Sequence, residues 1–134
     1  MTDNIKPHIL LVEDCKANVL VATAFLEEFG YNFTVAKNGQ EALHLIKTNS
    51  FNLVLMDVQM PGIDGYEATH FVREWEKEQG MKRLPIIGVT AHALTTDRDR
   101  CLTVGMDDYI AKPFHPEQFK DKIEKQLNLS LNKK

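Results

Sequence analysis

The sequence predicts an α/β fold in which helices cover both faces of a parallel β-sheet. Two observations support this: short apolar runs recur along the chain, and a segment with helical spacing follows each of them. Alternating strand and helix patterns are typical of parallel sheets, because each connection has to cross the sheet. The 134 residues suit one domain with its own core, which we place at 8–128 between tails at 1–7 and 129–134.

Five apolar runs are the predicted strands. The first, third and fourth are continuously apolar, as expected for strands covered on both faces, and the full set is 9–12, 33–36, 53–56, 86–89 and 109–111. Right-handed crossovers would arrange them in the flavodoxin-like order 2-1-3-4-5. The predicted architecture is therefore a (βα)5 three-layer sandwich.

Apolar residues at spacings of three and four predict the helices between these strands. The stripes expected to face the sheet are Asn18, Val21, Ala22, Phe25 and Phe29; Ala42, Leu45 and Ile46; Ala68, Phe71, Val72 and Trp75; and Phe119, Ile123 and Leu127. Residues 95–104 form the weakest helix, because the first half is entirely polar. Asp64 is expected to cap a helix at its start, and glycines at 30, 80 and 105 to follow helix ends.

Composition excludes several function classes. A net charge of −3 gives no positive field for direct nucleic-acid binding. No stretch approaches the roughly 18 apolar residues of a membrane span, and residues 1–7 hold no apolar signal region. Cys15 and Cys101 lie in different elements, so we expect free thiols. Together with the missing signal region, this predicts a cytoplasmic location without membrane insertion.

Polar residues stand at the carboxyl ends of four predicted strands. Glu13 and Asp14 follow the first, Asp57 the third, Thr90 the fourth and Lys112 the fifth. In the predicted order they converge on one edge, where three carboxylates repel unless a hard divalent cation such as Mg²⁺ binds. The lysine and the threonine suit an arriving anion, so the set indicates phosphoryl transfer to a carboxylate.

Four motifs at these positions resemble those of response-regulator receiver domains. They read VED at 12–14, LMDVQMPGIDG at 55–65, VTA at 89–91 and YIAKPF at 109–114. The resemblance covers residues 8–127 in matching order and spacing. It implies that Asp57 accepts a phosphoryl group from a histidine kinase or a histidine phosphotransfer domain, and that the domain then changes conformation to signal.

The resemblance also implies roles for the surrounding residues. Mg²⁺, with Mn²⁺ able to take its place, is expected on Asp14, Asp57 and the backbone carbonyl of Gln59, with Glu13 acting mainly through water. Lys112 would contact the phosphoryl oxygens. The peptide bond between Lys112 and Pro113 would be cis, which directs the lysine toward the site. Thr90 and Tyr109 would form the conformational switch.

Two further predictions concern residues beside the motifs. The side chains of Gln59 and His92 are placed to tune the lifetime of the phosphoryl group, by crowding or orienting the attacking water. The first helix is expected to expose an uncharged face, formed by Val19, Leu20, Thr23 and Ala24, that docks the phosphodonor partner. The five histidines show no zinc-ligand spacing.

Alternative functions fit less well. A phosphatase of the haloacid dehalogenase type needs a second aspartate where Gln59 stands, and no glycine-rich dinucleotide fingerprint follows the first strand. A receiver that works without phosphorylation would usually lack an acid or the lysine. Details such as Asn18 resemble receivers of hybrid sensor kinases, although Cys15 replaces their usual asparagine. We expect a hybrid-kinase piece or a stand-alone phosphorelay receiver, monomeric or weakly dimeric, that catalyses its own phosphorylation and dephosphorylation.

Overall fold

A computed structural model describes residues 6–91 and 95–132, and its five strands form one sheet in the order β2-β1-β3-β4-β5. The strands are β1 (His8–Val12), β2 (Asn32–Ala36), β3 (Leu53–Asp57), β4 (Ile86–Thr90) and β5 (Asp108–Ala111). Every neighbouring pair is parallel. The predicted flavodoxin-like α/β architecture is therefore confirmed.

Five helices connect and follow the strands, and they divide between the two faces of the sheet. They are α1 (Lys16–Glu28), α2 (Gly39–Thr48), α3 (Gly65–Gln79), α4 (Thr95–Thr103) and α5 (Pro116–Asn132). One apolar cluster joins the sheet to α1 and α5, and a second joins its other face to α2, α3 and α4. The sheet thus lies between two helical layers, and β5 is an edge strand whose only partner among the described strands is β4.

Local signals set the helix ends where the sequence indicated. The Asp64 side chain accepts a hydrogen bond from the backbone N–H of Glu67. The Glu67 side chain accepts one from the backbone N–H of Asp64, which completes a capping box. Positive φ angles occur at the predicted glycines 30, 80 and 105. The start of α3, which comes soon after Asp57 in the chain, is therefore fixed by its own sequence.

Three details of the prediction were wrong. Helix α5 continues to Asn132, so residues 129–132 are not a tail; no glycine or proline stops the helix after Pro116. Val21 and Phe71 were expected to face the sheet but are exposed by 45% and 43%. In α1 the buried centre is Ala22 with Leu26, and Val21 lies one position, or about 100°, to the side of it.

A charged cluster on α3 ties together the end of the molecule where the strands begin. Arg73 donates to the carbonyls of Leu84 and Gly105 at 2.8 Å each and pairs with Glu76 and Asp107 at 2.9 Å each. These partners precede β4 and β5 in the chain or lie on α3 itself. The cluster therefore anchors both strands at the edge of the sheet opposite their carboxyl ends.

The two cysteines are thiols and not a disulfide, as expected: Cys15 is exposed and Cys101 is buried. None of the helices in the described part of the chain combines the length and apolar character that a membrane span requires.

Candidate functional site

The predicted site residues lie together where the strands end. Asp57 and Thr90 are the last residues of β3 and β4, whereas Glu13, Asp14 and Lys112 directly follow β1 and β5. Because carboxyl ends of parallel strands share one edge, the fold brings these side chains to one place. Carboxylate oxygens of the three acids lie within 4.8 Å of one another, and the lysine ammonium contacts two of the acids.

Asp57 is only 3% exposed, and its carboxylate is held from two sides. Oδ1 accepts a hydrogen bond of 3.1 Å from the backbone N–H of Gln59, and Oδ2 lies 3.5 Å from Nζ of Lys112. A Cβ at Gly65 would overlap the backbone oxygen of Asp57, so α3 can begin this close to the site only with glycine there.

Glu13 is also buried, at 2% exposure, and shares the same lysine. Its Oε1 lies 3.2 Å from Nζ of Lys112, and its Oε2 accepts a hydrogen bond of 3.3 Å from the backbone N–H of Cys15. The Lys112–Pro113 bond is cis, as the resemblance implied. One ammonium therefore serves two buried carboxylates, which leaves an excess negative charge when both are ionised.

Burial and the neighbouring Glu13 together raise the pKa of the Asp57 carboxyl. Burial, followed by the hydrogen bond and the charge of Glu13, raises the pKa of the Asp57 carboxyl to about 7. The N–H of Gln59 and the ammonium of Lys112 act in the opposite direction, but they do not outweigh burial. The protein thus holds a carboxylate that needs a further positive charge in order to stay ionised near neutral pH.

The donor set fits a hard divalent cation. Glu13, Asp14 and Asp57 each offer a carboxylate oxygen to one small volume, and Asp14 is exposed, so an ion can enter from solvent. Oxygen ligands with room for water suit Mg²⁺. Among the side chains that the structure describes, 6–91 and 98–129, no other three acidic, histidine or cysteine residues form such a group.

Thr90 and Tyr109 stand on the same face of the sheet. Thr90 pairs in register with Ala111 and Gly88 pairs with Tyr109, so both side chains point toward the layer of α2, α3 and α4. Thr90 is buried, whereas Tyr109 is half-buried near the edge of the sheet. A movement of one side chain can therefore reach the other within that layer.

A pocket of about 550 Å³ opens beside this site, with Gln59 and Thr90 in its lining. The lining also includes Tyr66 and Arg100, whose guanidinium carbon lies 4.2 Å from the Tyr66 ring centroid. The sequence did not indicate this contact, because it joins α3 to α4 without a local pattern. His92, the second predicted lifetime residue, lies outside the described residues.

The predicted docking face on α1 requires correction. Leu20 is 72% exposed and Ala24 is exposed, as expected, but Val19 packs against the apolar cluster under α1. Thr23 is half-buried, with its hydroxyl donating to the Val19 carbonyl at 2.8 Å. Because the buried stripe centres on Ala22, the apolar exposed face consists of Leu20, Val21 and Ala24. These three residues form the α1 patch.

Comparison with known structures places the fold among receiver domains. One similar structure is the receiver domain of a sensor histidine kinase from Pseudomonas aeruginosa, crystallised with a magnesium ion in its active-site cleft. It has a TM-score of 0.83 and 37% identity, and the match covers 92% of this chain and 99% of that chain. Another is a Saccharomyces cerevisiae response-regulator receiver domain co-crystallised with a histidine phosphotransfer protein, with a TM-score of 0.88, 30% identity, and 92% and 90% coverage.

Sequence comparisons agree. The sensor histidine kinase GacS of Pseudomonas protegens and the sensor protein GacS of Pseudomonas syringae are 42% and 40% identical over 125 residues. The matches cover 93% of this chain, which spans only 14% of the length of each relative. The family model of the response regulator receiver domain matches residues 9–124. The chain therefore belongs to the response regulator receiver domain family, the phosphoacceptor modules of two-component and phosphorelay signalling.

Proposed function

We propose that Asp57 is the residue of this receiver domain that becomes phosphorylated. The observation that supports the assignment is the position of its buried carboxylate, which ends β3 beside an ammonium group and close to two further acids. A carboxylate oxygen attacks phosphorus, an O–P bond forms, and the P–N bond to the donor imidazole breaks. Lys112 offsets negative charge on the phosphoryl oxygens as they arrive beside it.

The acidic group would hold Mg²⁺, or Mn²⁺ in its place. Asp14, Asp57 and the Gln59 carbonyl are the proposed direct ligands, and Glu13 acts through water. A bound ion of this kind neutralises charge shared between the acceptor carboxylate and the phosphoryl oxygens. Support comes from the shared oxygen-lined volume here and from the magnesium ion in the similar P. aeruginosa receiver.

Thr90 completes the proposed catalytic set, because its hydroxyl can donate to an arriving phosphoryl oxygen, and the remaining roles follow the transfer. Thr90 and Tyr109 form the proposed switch, which their common sheet face supports. Gln59 and His92 tune the lifetime of the phosphoryl group through the attacking water. The switch and lifetime roles begin once the phosphoryl group is on Asp57, whereas the donor role of the Thr90 hydroxyl belongs to the transfer itself.

The donor would be a phosphohistidine on a histidine kinase or a histidine phosphotransfer domain. The kinase relatives and the yeast receiver crystallised with a phosphotransfer protein support this partner class. We place the docking surface on the α1 patch, which is apolar and lies on the helix that comes after Asp14. The domain would work in the cytoplasm, or on the cytoplasmic side of a membrane within a hybrid kinase, as a monomer or weak dimer.

A labelling experiment tests the acceptor. With Mg²⁺ and acetyl phosphate, the wild-type chain should gain one phosphoryl group that is labile to acid and base. Asp57→Asn should gain none, because the nucleophilic oxygen has been replaced. Asp64→Asn makes the same chemical change at the start of α3 and keeps a good helix cap, so it should label like wild type. Stoichiometric labelling of Asp57→Asn would falsify the assignment.

A further inference from the structure

Lys122 on α5 makes three contacts with two consecutive residues of β5. Its Nζ donates to the backbone oxygen of Tyr109 at 2.7 Å, lies 3.1 Å from Oδ1 of Asp108, and lies 4.3 Å from the centroid of the Tyr109 ring. An ammonium has three N–H groups, and two oxygen acceptors leave its third side for the ring face. The oxygens therefore hold the charge in place over the ring.

The position of this lysine is unusual because it belongs to the opposite layer of the molecule. Helix α5 packs on the face of the sheet shared with α1, whereas the Tyr109 ring stands on the other face, together with Thr90. Among the described strands β5 pairs only with β4, so the lysine side chain can pass around the outer edge of β5 from one face to the other. Lys122 thus connects α5 directly to the aromatic half of the proposed switch.

We propose that Lys122 is a positioning residue for Tyr109, which it holds in the ring orientation seen here and so favours the unphosphorylated state. The inference rests on the proposed switch of Thr90 and Tyr109, in which the ring turns toward Thr90 once Asp57 is phosphorylated. If the ring turned toward Thr90 about χ1, the two oxygens would keep the ammonium behind, and the cation–π contact would be lost. An attraction of that kind biases the two orientations by about two- to fivefold.

Ring orientation in the unphosphorylated full chain provides the first test. Lys122→Met keeps the length of the side chain and removes its charge, while Lys122→Arg keeps a cation. Three-bond NMR couplings report the χ1 populations of Tyr109 directly. We expect the ratio of present to alternative orientations to fall about two- to fivefold in Lys122→Met and to recover in Lys122→Arg.

The chain offers a matched control on the same helix. Lys120 also lies over an aromatic ring, with its Nζ 5.6 Å from the ring centroid of Phe29, but Phe29 directly follows α1 and is not part of the proposed switch. Lys120→Met removes the same charge from α5 and should leave the Tyr109 populations unchanged. Unchanged populations in Lys122→Met, or equal changes in both lysine variants, would overturn the inference.

Affinity for beryllofluoride with Mg²⁺, a mimic of the phosphoryl group, provides the second test. A variant released from the unphosphorylated orientation should bind the mimic more tightly, by up to about fivefold for Lys122→Met. In a Tyr109→Leu background the same lysine change should have no effect, since the ring that it acts on is gone. An equal effect in both backgrounds overturns the inference.

The two readouts separate this inference from the function on which it rests. If wild type fails to bind beryllofluoride, the proposed phosphoacceptor role of the site fails, whatever the ring populations show. If wild type binds it and the ring populations respond to Lys122, but the affinity does not change, Lys122 does not favour the unphosphorylated state and the inference is overturned.

Discussion

Two buried carboxylates share one ammonium at the site, and this imbalance distinguishes the three acids from one another. Glu13 points inward to Lys112 and to a backbone N–H, whereas Asp14 is exposed at the entrance. Asp57 has a carboxylate oxygen within 4.8 Å of both and a raised pKa. A cation would therefore relieve the charge of Asp57 most directly and meet Asp14 first on entry.

Metal affinity should divide along the same line. Asp14→Ala removes a direct ligand, and we expect the Kd for Mg²⁺ to rise at least about tenfold, or about 1.4 kcal/mol. Glu13→Ala should weaken binding less, because its contact passes through water and the freed ammonium can still pair with Asp57. Calorimetric titration measures both, with the exposed Asp121→Ala on α5 as a charge-matched control. Equal losses at Glu13 and Asp14 would contradict the proposed ligand roles.

Stability without Mg²⁺ should depend on pH through Asp57. Its folded pKa of about 7 exceeds that of an unfolded aspartate, about 3.9, so the folded state loses stability as pH rises between these values. Asp57→Asn has no charge to bury, and its advantage over wild type should grow by on the order of 2 kcal/mol between about pH 5 and pH 8. Urea unfolding at both pH values measures this. A difference in unfolding free energy that does not change with pH would show that the folded state does not raise the pKa of Asp57. Added Mg²⁺ should stabilise wild type but not Asp57→Asn.

At the scale of elements, α4 and β5 are held firmly at one end. A Cβ at Gly88 in β4 would lie 2.5 Å from Sδ of Met106 and 3.1 Å from Sγ of Cys101. The end of α4 and the residues after it therefore pack directly on the backbone of β4. The Arg73 cluster fixes the next stretch of chain, at Gly105 and Asp107. The start of α4 has only polar residues and no comparable apolar anchor in its sequence. Movement of α4 is therefore expected mainly at its start, which is nearer the site.

Two arginines of this cluster offer a matched pair for a stability test. Both contact Asp107 and the Gly105 carbonyl, but the Arg73 side chain is 14% exposed and that of Arg83 is 46% exposed. Arg73→Leu leaves Glu76 and Asp107 without their buried partner and should cost about 3 kcal/mol. Arg83→Leu should cost less than about 1 kcal/mol. Denaturant unfolding compares them, and equal costs would mean that burial does not set the strength of the cluster.

The elements themselves could be predicted because their signals are local. Apolar runs, the Asp64 cap and the glycines after helices each act over a few residues, and all of them agree with the structure. The face of α1 was misjudged at Val19 and Val21, since the predicted stripe omitted Leu26, which is fully buried. Contacts such as Arg73 with Asp107 or Lys122 with Tyr109 join distant segments, so no local pattern indicates them.

Over the whole molecule, the acidic site and the Arg73 cluster lie at opposite ends of the strands, and the α1 patch lies on one of the two helical layers. The site residues could be located from the sequence because the strand order determines which strand ends lie side by side. Partner geometry could not be read in this way, since it depends on which exposed side chains form one continuous surface. In the structure Val21 is exposed and Val19 is not, which changes the residues available on that face of α1.

Docking through the α1 patch predicts a defect that depends on the donor. Leu20→Glu places an unpaired charge in an apolar contact, so phosphoryl transfer from a histidine phosphotransfer protein that serves wild type should slow at least about tenfold. Labelling by acetyl phosphate and the Tm should stay unchanged. Leu129→Glu alters another exposed leucine, on α5, and should have no effect on either donor. If both donors are slowed alike by Leu20→Glu, the patch is not the docking surface.

The two cysteines differ in a way that makes the native chain convenient to label. Cys101 is completely buried behind Gly88, while Cys15 is exposed and comes directly after Asp14. A thiol-reactive fluorophore would therefore attach selectively at Cys15 in the folded protein, without any engineered residue. Because the Cys15 backbone N–H bonds to Glu13, such a dye would be connected to the acidic group itself. Metal entry and phosphorylation could then be followed by fluorescence in real time, from a reporter position that the natural sequence already supplies.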